Sequence, residues 1–291
     1  MGLIKQVLKD LGLINENDLE VFSTGTRDKD DLAVFRDRNT NIIFVDDFTT
    51  KKEVYESGNY RRDLEKFYGK RDFEINHDVS RRVNEYKQFY VGKKILDFGC
   101  GEGSFLQQIS TYATASIGIE IEKKYIENLN KLGIKCEESL QDLVDETYDT
   151  IFCFHTLEHL EDPISVLSEF KKKLAPGGVL VVEVPHSNDF LLHYLKSEEF
   201  KKFTLWSQHL VLHTRLSLSR FLKEAGFETF LIDGVQRYGL SNHLNWLVNK
   251  EPGGHKTMLS SIETDEIKKS YENALRKIDA TDTIVAIVSN T

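Results

Sequence analysis

The stretch that decides the fold is ILDFGCGEGSF, residues Ile95–Phe105. A short apolar run ends near Asp97, and a helical run begins at Ser104. Between them stand three glycines at alternate positions, Gly99, Gly101 and Gly103. Glycines at such a place allow a tight strand-to-helix turn and let a ligand approach bare backbone. The stretch therefore predicts the first parallel strand, the ligand loop and the first helix of an α/β sheet.

Strand-like and helix-like runs alternate from this loop to the C-terminus. The helix-like run DPISVLSEFKKKL has Asp162 in position to cap its first turn and Pro163 at its first helical position. The apolar runs with strand character are SIGIEI, KCEES, YDTIFCF, VLVVEV, ETFLID and TIVAIV. This alternation predicts the α/β class: an open, mostly parallel, Rossmann-like sheet with helices on both faces.

Two parts of the chain depart from the alternation. Residues 1–90 read as an appendage, with a short helix, a hairpin made of LAVFRD and IIFVDD, and a charged helical stretch. We expect it to cap the pocket or to make a dimer contact. Residues 91–291 form the ligand-binding domain, with insertions at about 187–216 and 235–280. Both insertions follow late strands, at the sheet edge where such folds bind ligands.

Composition restricts the classes of partner. The 291 residues include 38 Lys and Arg against 47 Asp and Glu, a net charge of −9, which disfavours nucleic acid as a partner. No run approaches the length of a membrane span. Cys100, Cys136 and Cys153 form no C-x-x-C pair and indicate buried free thiols, as in a reducing, cytoplasmic compartment.

Two acidic residues restrict the chemical class of the ligand that the glycine loop can bind. Asp97, just ahead of the glycines, would repel a diphosphate and attract an ammonium group. Glu120 ends the second strand about twenty residues on, where a carboxylate can accept hydrogen bonds from ribose hydroxyl groups. A ligand with a ribose, a cationic amino-acid end and no phosphate is S-adenosylmethionine. A dinucleotide, and with it a nicotinamide dehydrogenase, remains an alternative that Asp97 and the G-x-G-x-G spacing weaken.

At this point the chain resembles the class I S-adenosylmethionine-dependent methyltransferases. The similarity extends from about Gly92 to Asp233 and includes LDFGCGEGSF, GIEIE, YDTIFCFHTLEHLEDP and LAPGGVLVVEVP; TDTIVAIVSN resembles the final strand. It implies seven strands in the order 3-2-1-4-5-7-6, with the last strand antiparallel. It also implies the residues that hold the cofactor: Asp97, Gly99 and Gly101 at the methionine part, Glu120 at the ribose, Ile121, Ser139 and Leu140 at the adenine, and Phe154 and His155 beside the methionine end.

The string HTLEH, residues 155–159, matches the H-x-x-E-H pattern of inverted-motif zinc proteases. Because a strand ends there and a helix starts at Pro163, we interpret the string as a loop and not as a zinc-binding helix. Similarity to O-methyltransferases that carry E-x-x-E-H at this place suggests a divalent ion held by Glu158 and His159, with His209 as a further ligand. We predict that the protein binds no metal and keep this divalent ion as the alternative.

Methyl transfer to a hydroxyl group needs a base, whereas a neutral amine does not. The candidate bases are His159, His186 and His209. The second insertion contains a mixture of aromatic and amide side chains suited to a polyhydroxylated acceptor: Arg237, Tyr238, Asn242, His243 and Trp246. This part also resembles methyltransferases of bacterial surface-sugar biosynthesis.

We therefore expect a small-molecule methyltransferase whose acceptor is an oxygen of an activated, nucleotide-linked sugar. The alternatives are N- or C-methylation of a sugar, O-methylation of a phenol or catechol, and a relative that binds the cofactor without turnover. An RNA methyltransferase is disfavoured by the acidity of the chain. The protein is expected to have no membrane partner and to be a monomer or a homodimer.

Overall fold

The computed structural model describes residues 3–46 and 72–291. Most of the charged helical stretch expected before the first parallel strand, residues 47–71, lies outside the described residues. Its C-terminal end forms two helices, α2 (Asp72–Glu85) and α3 (Lys87–Tyr90).

A seven-stranded sheet forms the centre of the molecule. Its strands are β4 (Lys94–Phe98), β5 (Ala115–Ile119), β6 (Cys136–Glu137), β7 (Tyr148–Phe154), β8 (Leu174–Pro185), β10 (Thr229–Val235) and β11 (Thr283–Ser289). They lie in the order β10-β11-β8-β7-β4-β5-β6, and β11 is antiparallel to both of its neighbours. Counted from the first strand of this sheet, the order is 3-2-1-4-5-7-6. The fold class and the strand order are thus confirmed.

Helices connect these strands and cover the sheet on both faces. They are α4 (Ser104–Ile109), α5 (Lys123–Lys131), α6 (Pro163–Lys173), α8 (Arg215–Glu224), α9 (Leu240–Asn249) and α10 (Asp265–Lys277). The side chain of Asp162 accepts a hydrogen bond from the Ser165 N–H at 3.1 Å, so α6 starts where its capping residue predicts. The segment APGG, which precedes the strand-like run VLVVEV, lies inside β8. There the register shifts between the Tyr148–Leu174 and Thr150–Val179 pairs.

A second, smaller sheet is antiparallel. Its strands are β1 (Leu19–Ser23), β2 (Val34–Asp37), β3 (Ile43–Val45) and β9 (Val211–Leu212), in that order. The expected hairpin is the β2–β3 pair. β9 belongs to the first insertion, which also contains α7 (Glu198–Thr204); the N-terminal helix α1 (Leu3–Asp10) precedes the sheet. The N-terminal segment and the first insertion therefore share one sheet through the pairing of β3 with β9.

The apolar core lies on both faces of the large sheet. Successive residues of β7 alternate, so that Ile151 and Cys153 join one cluster and Phe152 and Phe154 join the other. Burial of an apolar side chain of this size contributes about 1.5–3 kcal/mol to folding. Cys136 and Cys153 are buried free thiols as expected, whereas Cys100 is half-buried because it belongs to the glycine loop and not to a strand. None of the described helices is long and apolar enough to cross a bilayer.

Candidate active site

The glycine loop after β4 lies in close contact with the side chains of Thr156 and Leu129. Gly99 and Gly103 have φ angles of +74° and +75°, in the left-handed region that glycine adopts without strain. A Cβ atom at Gly99 would lie 2.3 Å from the Thr156 hydroxyl oxygen, and one at Gly103 would lie 2.3 Å from the Leu129 side chain. Glycine is required at both positions by backbone conformation and by space.

Glu120 is fixed against this loop. Its carboxylate accepts hydrogen bonds from the main-chain N–H of Gly101 at 2.8 Å, of Ile121 at 2.8 Å and of Glu122 at 3.0 Å. The side chain is buried, and Ile121 is half-buried beside it. The loop after β4 and the end of β5 are thus locked together by one carboxylate.

Asp97 lies in β4, just before the glycines, and is 3% exposed. Burial raises the pKa of its carboxyl group to about 7; Arg82 lowers this pKa, and Glu120 raises it further. A carboxyl group in this range becomes ionised when a cationic group is placed beside it. Asp97 is therefore poised to bind an ammonium group.

The other residues implied as cofactor ligands stand at the ends of β6 and β7. The Ser139 hydroxyl accepts a hydrogen bond from the Gln141 N–H at 3.2 Å and begins the short turn Leu140–Asp142. Phe154 is buried, and His155 has a φ of +47°, which is unusual for a residue other than glycine. Because β4 to β7 are parallel, all of these residues lie at one edge of the sheet.

A cluster of charges that the sequence did not indicate binds α2 to this edge. Glu183 of β8 accepts hydrogen bonds from Arg81 through both oxygens, from Arg82 Nε and from the Tyr86 hydroxyl, at 2.6–2.9 Å. Burial alone would raise the pKa of Glu183, but Arg82 and Arg81 more than offset that effect and hold it well below its usual value. The one local signal was an acidic residue inside the apolar run VLVVEV.

A second ion pair connects α2 to the loop after β10. Arg237 donates from Nε to Asp78 at 2.9 Å and from Nη2 to the other oxygen of the same carboxylate. The main-chain N–H groups of Arg237 and Tyr238 donate to Asp282. Arg237 and Tyr238 thus lie at the same sheet edge as the glycine loop, and the guanidinium of Arg237 is already paired.

The H-x-x-E-H string forms a strand end followed by the single turn Leu157–His159, and not a long helix. The side chain of Glu158 is fully buried, and its Oε1 lies 3.4 Å from His155 Nδ1. Neither oxygen has a hydrogen-bond partner in the described part of the chain. Burial raises the pKa of this carboxyl group to about 8. A buried carboxyl group without hydrogen bonds is costly, which makes the surroundings of Glu158 a candidate site for a cation.

Two histidines complete that candidate site. Ligand atoms of Glu158, His159 and His209 all lie within 4.8 Å of one another. His159 Nδ1 is 2.8 Å from the Gln208 carbonyl oxygen, to which it donates, and Nε2 lies 4.0 Å from Glu158. This arrangement of a carboxylate and two imidazoles, one oriented by a carbonyl, fits Zn²⁺, Fe²⁺ or Mn²⁺ better than Mg²⁺.

The N-terminal segment holds the loop that contains His209. Asp28 accepts hydrogen bonds from the main-chain N–H of Ser207 at 3.0 Å and from its hydroxyl at 2.5 Å. The N–H of Leu210 donates to the Glu158 carbonyl at 2.8 Å, and its carbonyl accepts from Val45 of β3 at 3.1 Å. The small sheet therefore fixes the distance between His209 and Glu158.

His186, the remaining candidate base, has a different environment. Its Nδ1 is 3.0 Å from the Thr281 carbonyl oxygen, and its Nε2 is 3.7 Å from Asp279. Burial lowers the pKa of His186 to about 4. The structure brings His159 and His209 together and places His186 in a separate set of contacts.

The amide and aromatic side chains of α9 bond within the protein. Asn242 accepts a hydrogen bond from the Gly253 N–H at 3.1 Å, and His243 Nδ1 lies 2.6 Å from the Tyr271 hydroxyl. Trp246 is 4% exposed and packs edge-on against Phe200. Sequence alone did not distinguish such buried contacts from a ligand surface, because both use the same side chains.

Comparison with known proteins agrees with this geometry. Residues 60–231 match a family described as "Methyltransferase domain". A ubiquinone biosynthesis O-methyltransferase of Pseudomonas syringae pv. tomato is 26% identical over 198 residues, which cover 59% of this chain and 82% of the relative. One of Aliivibrio fischeri is 30% identical over 158 residues, which cover 47% of this chain and 68% of the relative.

A solved structure supports the fold independently. A SAM dependent methyltransferase from Archaeoglobus fulgidus superposes with a TM-score of 0.54 at 21% identity, covering 79% of this chain and 99% of that protein. The family match covers more than half of the chain, and the glycine loop, Asp97 and Glu120 lie together at the carboxyl edge of the sheet. The chain therefore belongs to the methyltransferase-domain family and is an S-adenosylmethionine-dependent methyltransferase.

Proposed function

We propose that this enzyme methylates an oxygen atom of a small acceptor that presents two neighbouring oxygens, as a catechol does. The observation that carries the proposal is the convergence of Glu158, His159 and His209 at the sheet edge beside the proposed cofactor site. The names of the relatives, both O-methyltransferases, favour oxygen as the atom methylated.

In this proposal the cofactor lies across the carboxyl edge of the sheet. Asp97 binds the ammonium group, Gly99 and Gly101 allow the backbone to approach the methionine part, and Glu120 accepts from the ribose. Ile121, Ser139 and Leu140 border the adenine. Phe154 and His155 lie beside the sulfonium, where alignment of the reacting atoms at about 3–3.5 Å is the main task of the protein.

The three metal-ligand candidates supply what an oxygen acceptor needs. A divalent ion bound there would lower the pKa of a coordinated hydroxyl group. Glu158 and the two histidines hold and orient the acceptor oxygens. With that ion bound, His159 and His209 would be its ligands and the hydroxyl proton would pass to solvent; without it, the two imidazoles are the candidate acceptors of that proton. Burial, then His159, lowers the pKa of His209, so this imidazole is neutral before the reaction.

The N-terminal sheet acts as a cap over the acceptor side. This proposal rests on the bonds from Asp28 to Ser207 and from Val45 to Leu210, which connect the segment 1–90 to the His209 loop. We also propose the N-terminal segment as the place where a second copy of the chain would dock if the enzyme is a dimer.

The second acceptor class is an activated sugar. Tyr238 is half-buried at the sheet edge where such a ligand would lie, and the Arg237 guanidinium is 5.4 Å from its ring centre. Asn242, His243 and Trp246 would have to give up contacts within the chain to join it, which is why the catechol class ranks first.

The test is formation of S-adenosylhomocysteine from S-adenosylmethionine with a panel of catechols, monophenols, nucleotide sugars and short RNAs, each with Mn²⁺, Zn²⁺ or a chelator. Turnover of catechols that exceeds turnover of matched monophenols, and that stops with chelator, is the expected result. Turnover confined to nucleotide sugars and indifferent to chelator would reject the proposed acceptor.

A further inference from the structure

The starting observation is the position of Arg237 relative to the large sheet. Val235, the last residue of β10, is paired with Thr283 of β11, and Thr283 is paired with Pro185 at the end of β8. Because β11 is antiparallel to both neighbours, β10 runs parallel to β8 and ends at the same edge of the sheet. Arg237, two residues beyond β10, thus lies at the carboxyl edge, where the acceptor is proposed to bind.

The guanidinium of Arg237 is held by one carboxylate of α2. Its Nε donates to Asp78 Oδ1 at 2.9 Å, and its Nη2 donates to Oδ2 of the same carboxylate. Such a bidentate pair fixes the plane of the guanidinium. In the described part of the chain no group accepts a hydrogen bond from Nη1, and this nitrogen is not buried. Arg237 therefore has one oriented terminal nitrogen available to a ligand.

Arg237 also lies near the residues of the candidate acceptor site. Burial dominates the pKa shifts of His155 and Glu158, lowering the pKa of the first and raising that of the second to about 8. Of the charged groups around these two side chains, Arg237 has the largest effect on each pKa. Because such effects weaken with distance and with exposure to water, the guanidinium lies close to Glu158 and is poorly screened from it.

Asp78 does not cancel the whole charge of Arg237. Nη2 of Arg81 lies 3.9 Å from Asp78 Oδ1, so two guanidinium groups share this carboxylate. Asp282 accepts hydrogen bonds from the main-chain N–H groups of Arg237 and Tyr238, and not from the guanidinium. Part of the positive charge of Arg237 therefore remains for a ligand.

We propose that Nη1 of Arg237 binds an anionic oxygen group of the methyl acceptor, so that the acceptor is a catechol with an acidic substituent, a carboxylate or a phosphate. The inference rests on the proposed function, in which Glu158 and the two histidines hold the neighbouring oxygens. A guanidinium forms short, directional bonds to carboxylate and phosphate oxygens, and one that is already oriented loses little freedom when the bond forms. Neutral catechols lack this contact and bind more weakly.

The experiment compares acceptors that differ in charge, with turnover measured as formation of S-adenosylhomocysteine. The acceptors are 3,4-dihydroxybenzoate, its neutral amide 3,4-dihydroxybenzamide, and 3,4-dihydroxyphenylphosphonate. Because the amide keeps a carbonyl group on the ring, the ratio of kcat/KM for the benzoate to that for the amide reports the effect of the charge. The phosphonate distinguishes a preference for phosphate from one for carboxylate.

Three variants accompany the wild type. Arg237→Met removes the proposed ligand. The double variant Arg237→Met with Asp78→Asn removes it without leaving the Asp78 charge unpaired, and it serves if the single variant does not fold. Arg220→Met is the matched control, because it removes the same charge from an exposed position of α8.

The wild-type enzyme is expected to prefer the benzoate or the phosphonate to the amide by roughly 10- to 100-fold in kcat/KM, as for a charge-assisted hydrogen bond. The difference should appear in KM, with a similar kcat, because the acidic group takes no part in the transfer of the methyl group. Both variants without Arg237 should lose the preference, and Arg220→Met should keep it.

Equal kcat/KM for charged and neutral catechols in the wild type would overturn the inference and leave the proposed function in place. A preference for the acids that survives in both variants without Arg237 would likewise overturn the assignment of this residue. A wild-type enzyme that methylates none of the catechols would reject the proposed function, and the inference with it.

Discussion

Asp28 of the N-terminal segment and Ser207 of the first insertion are joined by two hydrogen bonds, although they are separated by 179 residues. Ser207 is 1% exposed, and His209 stands two residues further on. The loop that contains His209, a candidate metal ligand, is thus held in place by a part of the chain outside the seven-stranded sheet.

Replacing Asp28 by Ala is expected to loosen this loop. The buried N–H and hydroxyl of Ser207 lose their partner, which costs about 1–3 kcal/mol in the free energy of unfolding. Affinity for Mn²⁺ or Zn²⁺, measured by calorimetry, should fall as His209 becomes mobile. Asp30→Ala, a change in the same exposed segment, is the control and should alter neither quantity. An Asp28→Ala protein with unchanged metal affinity would contradict the link.

The ion pair between Asp78 and Arg237 gives a prediction about stability. Both side chains are largely buried, and Arg81 lies 3.9 Å from the same carboxylate, so removing Arg237 leaves Asp78 only partly compensated and costs at most about 3–5 kcal/mol. Arg237→Met should therefore lower the free energy of unfolding in urea by that amount, and Asp78→Asn combined with it should recover part of the loss. The exposed pair Glu127–Lys131 is the control, where Lys131→Met should change stability by less than about 0.5 kcal/mol. Strictly additive losses for Arg237→Met and Asp78→Asn would show that the pair is not coupled.

The features that the sequence predicted are those set by residues close together in the sequence. The glycines and the cap at Asp162 each act on residues within a few positions. Glu120 also bonds to Gly101, 19 residues earlier, because β4 and β5 are neighbours in the sheet. Strand order followed from the family resemblance. Contacts between distant segments had no such local signal.

The missed features are those made by distant partners. Arg82 and Glu183 are 101 residues apart, and β9 is only two residues long, so no periodicity marks it. The acceptor-binding role predicted for the polar face of α9 stays a prediction; what the sequence did not indicate is that Asn242 and His243 also bond within the chain. Residue type predicts that a polar group needs a partner, but the identity of the partner depends on tertiary structure.

Gly99 and Thr156 provide a prediction for the glycine loop. In Gly99→Ala the new Cβ would meet Thr156 Oγ1 at 2.3 Å and Cγ2 at 2.6 Å. The free energy of unfolding should fall by about 1–3 kcal/mol because of overpacking and by about a further 1–2 kcal/mol because a residue with a Cβ is strained at a left-handed φ. Binding of S-adenosylhomocysteine should be lost.

Two further variants separate strain from overpacking. Gly133→Ala has a similar φ of +77° but open space, so its free energy of unfolding should fall only by the strain. Adding Thr156→Ala to Gly99→Ala removes the two closest atoms and should restore part of the stability and of the ligand affinity. Equal stability of Gly99→Ala and Gly133→Ala would show that Thr156 does not press on the loop.

Asp97 makes binding of the cofactor depend on pH. Burial raises the pKa of this carboxyl group to about 7 in the free protein, and only the ionised form pairs with an ammonium group. The ionised fraction rises from about a tenth at pH 6 to about nine tenths at pH 8, so affinity for S-adenosylhomocysteine should rise about tenfold and then level off. Calorimetry at three pH values checks this, with 5′-methylthioadenosine as a ligand without the ammonium group. Asp97→Asn should bind more weakly and without the pH dependence; a pH slope that survives in this variant would assign it to another group.

The last prediction concerns Glu158, whose buried oxygens have no partner in the described residues. If a divalent ion fills the space between Glu158, His159 and His209, Glu158→Gln should lower Mn²⁺ or Zn²⁺ affinity by at least about tenfold, since a carboxylate ligand is replaced by a neutral amide. Affinity for S-adenosylhomocysteine should stay near that of the wild type, because Asp97 and Glu120, the proposed cofactor ligands, lie elsewhere. Turnover of a catechol should fall in the variant and in chelator-treated wild type alike. A Glu158→Gln enzyme that binds no less metal, or a wild type whose turnover ignores the chelator, would instead assign the buried carboxyl group a purely structural role, held protonated by its surroundings.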